Sequence, residues 1–285
     1  MKSIHTYKKR TGFSFALKGV SIGCTVISVV ALLSVVVYVL ISGVTKLNFN
    51  LLFGEYTSAS PTIPSAFVGT LLLVAIAVVI AVPIGVATAV FLVEYMNNKG
   101  KVVKVIRIAA ETLAGIPSIV YGLFGYLVFV VAFGWGYSLL GGGMTLAIMI
   151  LPVIVRSTEE SLLAVPDAYR EGAFALGAGK VRTIFKVVLP SASGGIITSI
   201  ILAIGRVVSE SAVLILTIGL VVNKMPSGIM SPGTSLALDI YFFASHGYPE
   251  EAAATSVVLL LMVIALNLLA GGVGKLLKKQ TGETK

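Results

Sequence analysis

Charge is scarce in this sequence: 12% of its 285 residues are charged against 57% hydrophobic, and the mean hydropathy is +1.02. Ordinary globular domains carry about 25% charged residues. At half that density the surface of a water-soluble particle cannot be covered. A soluble enzyme is therefore excluded, and with it a disordered or collagen-like chain. The one cysteine, Cys24, forms no disulfide within the chain and leaves the redox compartment unread. Two histidines, His5 and His246, build no common metal site by themselves. No metal or other cofactor is expected. Acidic residues are fewer than basic ones, 12 against 21, for a net charge of +9. What is plentiful is apolar sequence, in long runs, which makes this an integral membrane protein.

A helix needs about 20 apolar residues to cross a hydrocarbon core of roughly 30 Å. Charge-poor runs of this kind lie at Val20–Gly43, Ala66–Val93, Ile108–Phe133, Ser191–Val222 and Ala252–Gly274. A shorter run, Gly143–Val155, gains length if Leu139–Gly142 joins it. The runs are continuous, without the apolar/polar alternation of barrel strands. The expected fold is an all-α membrane protein with six transmembrane helices. The first run is too long for a signal-peptide core and reads as an uncleaved anchor behind an N-terminal tail, 1–19.

Basic residues then orient the spans. The N-terminal tail holds Lys2, Lys8, Lys9, Arg10 and Lys18, and the link between the second and third spans holds Lys99, Lys101, Lys104 and Arg107. Arg156, Arg170, Lys180, Arg182 and Lys186 follow the fourth span, and Lys275, Lys278, Lys279 and Lys285 lie in the C-terminal tail, 275–285. These 18 fall on one face, against Lys46 and Lys224 on the other. Both termini are expected in the cytoplasm. The scatter of the charges along membrane boundaries argues against a nucleic-acid partner.

The cytoplasmic stretch 156–190 is long and carries helix signals. Pro166-Asp167 reads as a helix start with the Asp side chain as cap. Ala168–Leu176 continues in good helix formers with Tyr169, Phe174 and Leu176 as apolar contacts, and Gly177 and Gly179 break it. Lys180–Val188 begins a second helix expected to stop near Pro190. Such a hairpin either docks into a groove of another protein or rests on lipid head groups.

The spacing of its residues resembles a known pattern. Glu171-Gly172-Ala173, three residues, Gly177, nine residues, Val187, one residue and then Leu189-Pro190 are similar to the EAA loop of ABC importer permeases, with Gly172 in place of Ala and Val187 in place of Ile. Pro117–Val120 followed by Gly122-Leu123-Phe124 resembles a stretch of the phosphate permeases among them. So do Pro152–Glu159, Val165–Glu171, Ser193–Thr198 and Ala203–Arg206. The similarity covers roughly 66–274, which the resemblance makes the permease domain. After Arg206 the chain runs Val207-Val208-Ser209-Glu210-Ser211-Ala212, keeping the family's Glu but not its flanking Gly, Thr and Pro. The resemblance implies the type I ABC importer permease fold. It also implies a coupling helix carrying Asp167, Arg170, Glu171, Gly172, Ala173, Gly177, Leu189 and Pro190 that meets a cytoplasmic ATPase. The implied partners are a homologous permease subunit, two ATPase subunits and an extracytoplasmic phosphate-binding protein, in a bacterial cell membrane. The short N-terminal region points to one of the two permease types of such a system.

No ATP site is present in the sequence itself: Gly177-Ala178-Gly179-Lys180-Val181 lacks the first Gly and the Mg²⁺-binding hydroxyl of a Walker A loop. A non-catalytic subunit is expected. Within the fifth run Arg206 and Glu210 stand four apart, on one face of a continuous helix. They form either a self-neutralising packing pair or a positive element of an anion path that Glu210 tunes. Ser118, Tyr121 and Ser209 supply hydroxyls, either to that path or to their own backbone. Pro83 and Pro117 kink their spans, and Glu111 is expected to pair with Arg107 at the cytoplasmic boundary. His246 belongs to a solvated turn, and Trp135 with Tyr137 to an interfacial anchor. The competing readings are an importer of another oxyanion or small solute, a stand-alone secondary transporter, and a membrane-embedded enzyme. Glu210 as the one clear mid-span carboxylate disfavours the second, and the lack of a His/carboxylate cluster disfavours the third.

Overall fold

The computed structural model describes the backbone of residues 2–57, 61–96 and 100–280, and the side chains of 14–15, 17–57, 61–96 and 100–272. Lys99 and Lys285, counted above among the basic residues, lie outside the described residues. Twelve α-helices follow one another in this part of the chain: α1 Lys2–Val44, α2 Phe49–Phe53, α3 Pro64–Val90, α4 Lys101–Ala114, α5 Ser118–Gly125, α6 Leu139–Leu163, α7 Asp167–Ala175, α8 Lys180–Thr183, α9 Leu189–Val208, α10 Ala212–Thr217, α11 Leu236–Ser245 and α12 Pro249–Gln280. Three π turns extend α3 (Phe91–Tyr95), extend α5 (Tyr126–Ala132) and join α8 to α9 (Ile184–Val188). Such turns insert an extra residue into the helical ladder and re-aim the side chains beyond it.

Five helices are long and apolar enough to cross a membrane, and a sixth crossing is formed if the bent pair α4 and α5 counts as one. The core is the pairing of α3 with α6. Along α3 the buried positions Ala66, Thr70, Leu73, Ala77, Ala81, Gly85 and Ala89 recur every three or four residues, and α6 brings buried Gly143, Leu146, Ile150 and Ile154, with Gly143 against Ile76 and Ile154 against Gly85. Small residues at this period let two backbones approach where lipid offers no hydrophobic driving force. Buried threonines on both helices donate to carbonyls one turn back, Thr70 of α3 to Ala66 and Thr145 of α6 to Gly141, both at 2.7 Å. α9 and α12 pack beside this pair, and α1 packs on α12 with its apolar stretch Leu17–Val44 exposed to the surroundings.

Three expected spans differ from what is observed. The fourth runs the full Leu139–Leu163, because Ser138 caps it at the Gly141 N–H (3.2 Å) and its apolar face continues past Val155 to Leu162. The third is no continuous helix: the chain turns by 99° between α4 and α5. The fifth begins earlier and ends earlier than Ser191–Val222, running from Lys180 through the π turn to Val208. Pro190 does not stop it. The proline falls where the π turn Ile184–Val188 hands over to α9, and the widened turn there lets the helix run on through it.

Candidate functional site

Two regions carry the residues singled out from the sequence. The first is the loop that follows α6. Pro166 precedes α7 and offers no capping side chain, and Asp167 lies inside the first turn rather than at the cap. Its carboxylate instead accepts from Arg170 Nη1 at 3.2 Å. No residue of α7 is fully buried. Glu171 and Gly172 are exposed, Ala173 is half-buried, and the apolar Tyr169, Phe174 and Leu176 stand free, Leu176 at 90% exposure. Gly177 ends the helix at φ +80°, a left-handed conformation that glycine adopts without a Cβ clash. Leu189 packs on the buried cluster of Ala89, Leu162, Val165, Val188, Ala192 and Ile196, and Pro190 is half-buried beside it.

What ties α7 to the bundle is Arg170. Its Nε and Nη2 donate to Glu94 Oε1 at 3.1 and 2.8 Å, and Nη2 and Nη1 donate to the carbonyls of Leu162 and Val165 at 3.0 and 2.9 Å. The pair is largely buried, with side-chain exposures of 15% for Arg170 and 9% for Glu94. The guanidinium thus bonds carbonyls at and just beyond the end of α6, while clasping the π turn that ends α3. Lys180 Nζ meets the same turn, 4.7 Å over the Tyr95 ring. Glu94 was not among the sequence-derived residues. The one available signal was a lone carboxylate at the basic end of the second span.

The second region lies where two helices break. Gly115-Ile116-Pro117 separates α4 from α5, and Tyr121 closes the bend by donating its hydroxyl to the Leu113 carbonyl at 2.8 Å. Ser209, Glu210 and Ser211 separate α9 from α10. Glu210 Oε1 accepts from the Ala212 and Val213 N–H groups at 3.0 and 3.3 Å and so caps α10. It makes no ion pair with Arg206 among the described residues. The expected common helix face is lost because α9 ends at Val208. The helices that follow the two breaks, α5 and α10, touch at Gly122, where an added Cβ would come within 3.0 Å of the Val213 Cα. Half-buried Arg206 lies close enough to the Tyr121 hydroxyl to act on it electrostatically. Ser209 is exposed and bonds back to the Gly205 carbonyl at 3.0 Å, and Ser118, half-buried, opens α5. Arg206, Tyr121, Ser118, Ser209 and Glu210 therefore all flank these two breaks.

Other ionic expectations are rearranged. Arg107 Nε donates to Glu159 at 2.7 Å, while Glu111 is met by Arg156 at 3.1 Å. The partners of both come from α6, which packs across α4. Asp239, on α11, was passed over in the sequence. It is fully buried, accepts from the Thr234 hydroxyl through Oδ1, and leaves Oδ2 with no hydrogen-bond partner. Burial pushes its carboxyl up to about 7, only partly offset by Thr234. Burial likewise raises Tyr56, with Tyr248 and Asp239 adding to the effect. His246 stacks on Phe242 at 4.1 Å at the exposed end of α11.

Residues 81–282 match the family of binding-protein-dependent transport system inner membrane components. The probable ABC transporter permease protein YqgI of Bacillus subtilis is 34% identical over 275 residues, 90% of this chain and 93% of that protein. The phosphate transport system permease protein PstA of Xylella fastidiosa (strain Temecula1) is 36% identical over 221 residues, 77% of this chain and 76% of that protein. Among solved structures, a bacterial alginate ABC transporter chain superposes with a TM-score of 0.68 at 14% identity, covering 93% of this chain and 96% of its own. A chain of the MetNI methionine ABC transporter in an inward-facing conformation gives 0.59 at 20% identity over 75% and 93%. This chain belongs to the inner membrane components of binding-protein-dependent transport systems and has the type I ABC importer permease fold. Within that class it is a permease of the PstA type. Membership implies work beside ATPase and binding-protein subunits.

Proposed function

We propose that this chain is the membrane-spanning, non-catalytic subunit of an ATP-driven phosphate importer, carrying inorganic phosphate into the bacterial cytoplasm. The observation that carries the reading is the meeting of α5 and α10 at Gly122 and Val213, each helix starting just after a break, with Arg206 in the last turn of α9. A helix that ends or starts at membrane depth leaves backbone groups unpaired only where it lines a cavity or path. A guanidinium matches two phosphate oxygens with its planar fork. α5 starts at the same break, with no side-chain cap at Pro117, and a free helix N-terminus favours an anion. Glu210 occupies the N-terminus of α10 instead. That keeps the local positive charge moderate, so that phosphate can leave as well as enter.

The basic end is assigned to the cytoplasm, with both termini there. The partners in this reading are a PstC-like permease paired with this one, two PstB-like ATPases and a PstS-like extracytoplasmic phosphate-binding protein. An ATPase seated on the exposed Tyr169, Phe174 and Leu176 of α7 would move Arg170, and with it Glu94 and the end of α6. ATP-dependent uptake of radiolabelled phosphate by the reconstituted complex tests the substrate: arsenate should compete and sulfate should not. Competition by sulfate without arsenate would replace phosphate with another oxyanion, and uptake driven by an ion gradient with no ATPase would replace the importer with a secondary transporter.

A further inference from the structure

α4 (Lys101–Ala114) departs from the bundle in direction. It meets the segment that follows it at 99° and lies across the basic end of α6, joined there by Arg107 to Glu159 and by Glu111 to Arg156. At 3.6 residues per turn its side chains fall into four faces, with Lys101, Ile108 and Thr112, all exposed, on the one turned away from the bundle. Val103, Ile106 and Ala110 point at the bundle, and Val103 is fully buried in a cluster with Leu92 and Val155. Lys104, Arg107 and Glu111 form a charged face. Opposite that charged face lie Val102, Val105, Ala109 and Leu113, all exposed, with Val102 at 56% and Val105 at 64%.

A helix with an exposed apolar face and a charged face on opposite sides, set across the direction of a crossing, fits the plane between head groups and acyl chains. The charges narrow the occupant further. Arg107 is neutralised by Glu159, whereas Lys101 and Lys104 are exposed and meet no carboxylate among the described residues. We propose that α4 is an interfacial helix of the inner leaflet, with Val102, Val105, Ala109 and Leu113 in the acyl chains and Lys101 and Lys104 holding the head-group phosphates of anionic phospholipid. The inner leaflet is taken from the orientation proposed above, while the depth of the helix does not depend on it. Lysine side chains suit this place, because their stems cover apolar surface while the ammonium reaches the phosphate.

The test uses the complete transporter in nanodiscs of phosphatidylcholine with or without phosphatidylglycerol. In a Cys24→Ser background, which removes the chain's one exposed thiol, a nitroxide is placed at Val105→Cys or at Lys104→Cys. The label at 105 should collide with oxygen more than with a water-soluble nickel chelate, and the label at 104 should do the reverse. A label at 105 open to the chelate would overturn the proposal, as would one closed to both reagents, which would mean that another subunit covers the face. A Lys101→Gln/Lys104→Gln variant should lose at least half of the enrichment of labelled phosphatidylglycerol around the complex, and unchanged enrichment would remove the anionic lipid. Neither readout involves phosphate, so an error in the substrate would show in uptake and leave these results unmoved.

Discussion

A carboxyl buried in apolar surroundings resists ionisation, and Asp239 is buried that way on α11 with the Thr234 hydroxyl on one oxygen. Its proton is kept up to about 7 in the folded protein, against 3.8 for a free carboxyl. Because the native state binds the proton more tightly, the associated stability is full below 3.8, declines as pH rises through the window and is lost above about 7. The decline approaches about 1.4 kcal/mol per pH unit. Unfolding of the detergent-solubilised protein should therefore show a steeper loss of stability over this range than an Asp239→Asn variant, and the variant should be the more stable of the two at pH values above the window. Parallel profiles would show that the carboxyl ionises freely. At Gly177, held at φ +80°, Ala should cost about 1 kcal/mol. It should also weaken ATPase attachment to the loop, measured as the affinity of the purified subunits for each other.

At the scale of elements, the clasp between α7 and the π turn after α3 is the feature with the largest consequence. Removing one partner of a buried ion pair costs about 3–5 kcal/mol, because the other is left uncompensated. Glu94→Gln should lower the complex's thermal stability and reduce phosphate moved per ATP hydrolysed. Arg170→Lys, which keeps the charge but not the fork that spans Glu94, Leu162 and Val165, should reduce it as well. A fall in stability with an unchanged transport-to-ATP ratio would make the clasp structural only. The loop itself was legible: Glu171, Gly177 and Leu189-Pro190 carry a spacing, and spacing survives in sequence. Its anchor was not, because Glu94 and Arg170 lie 76 positions apart and only folding brings them together. Helix breaks were the other illegible feature. Pro190 reads as a stop yet opens α9, and Arg206 and Glu210 read as one helix face yet straddle a helix end. A right-angle turn at Gly115-Ile116-Pro117 looks, in sequence, like a mild kink.

For the whole molecule, the scarcity of charge resolves into a bundle whose α3 and α6 supply the core while α1 and the outer side of α5 remain apolar and exposed. Hydropathy was enough to read that a membrane covers these surfaces. In the orientation proposed above, Arg156, Arg170, Lys180, Arg182 and Lys186 surround the loop that holds α7, so the charge excess that orients the chain would also surround the proposed ATPase contact. Arg206 stands in the last turn of α9, next to the break before α10, and the central claim is that phosphate passes beside it. The most direct measurement is ATP-dependent uptake of radiolabelled phosphate by proteoliposomes containing the complete complex with Arg206→Gln, alongside proof that the subunits still assemble. The account predicts uptake lowered at least 100-fold with assembly intact, a loss of about 2.7 kcal/mol of transition-state stabilisation. Uptake at the unsubstituted rate would remove Arg206 from the path and contradict the account.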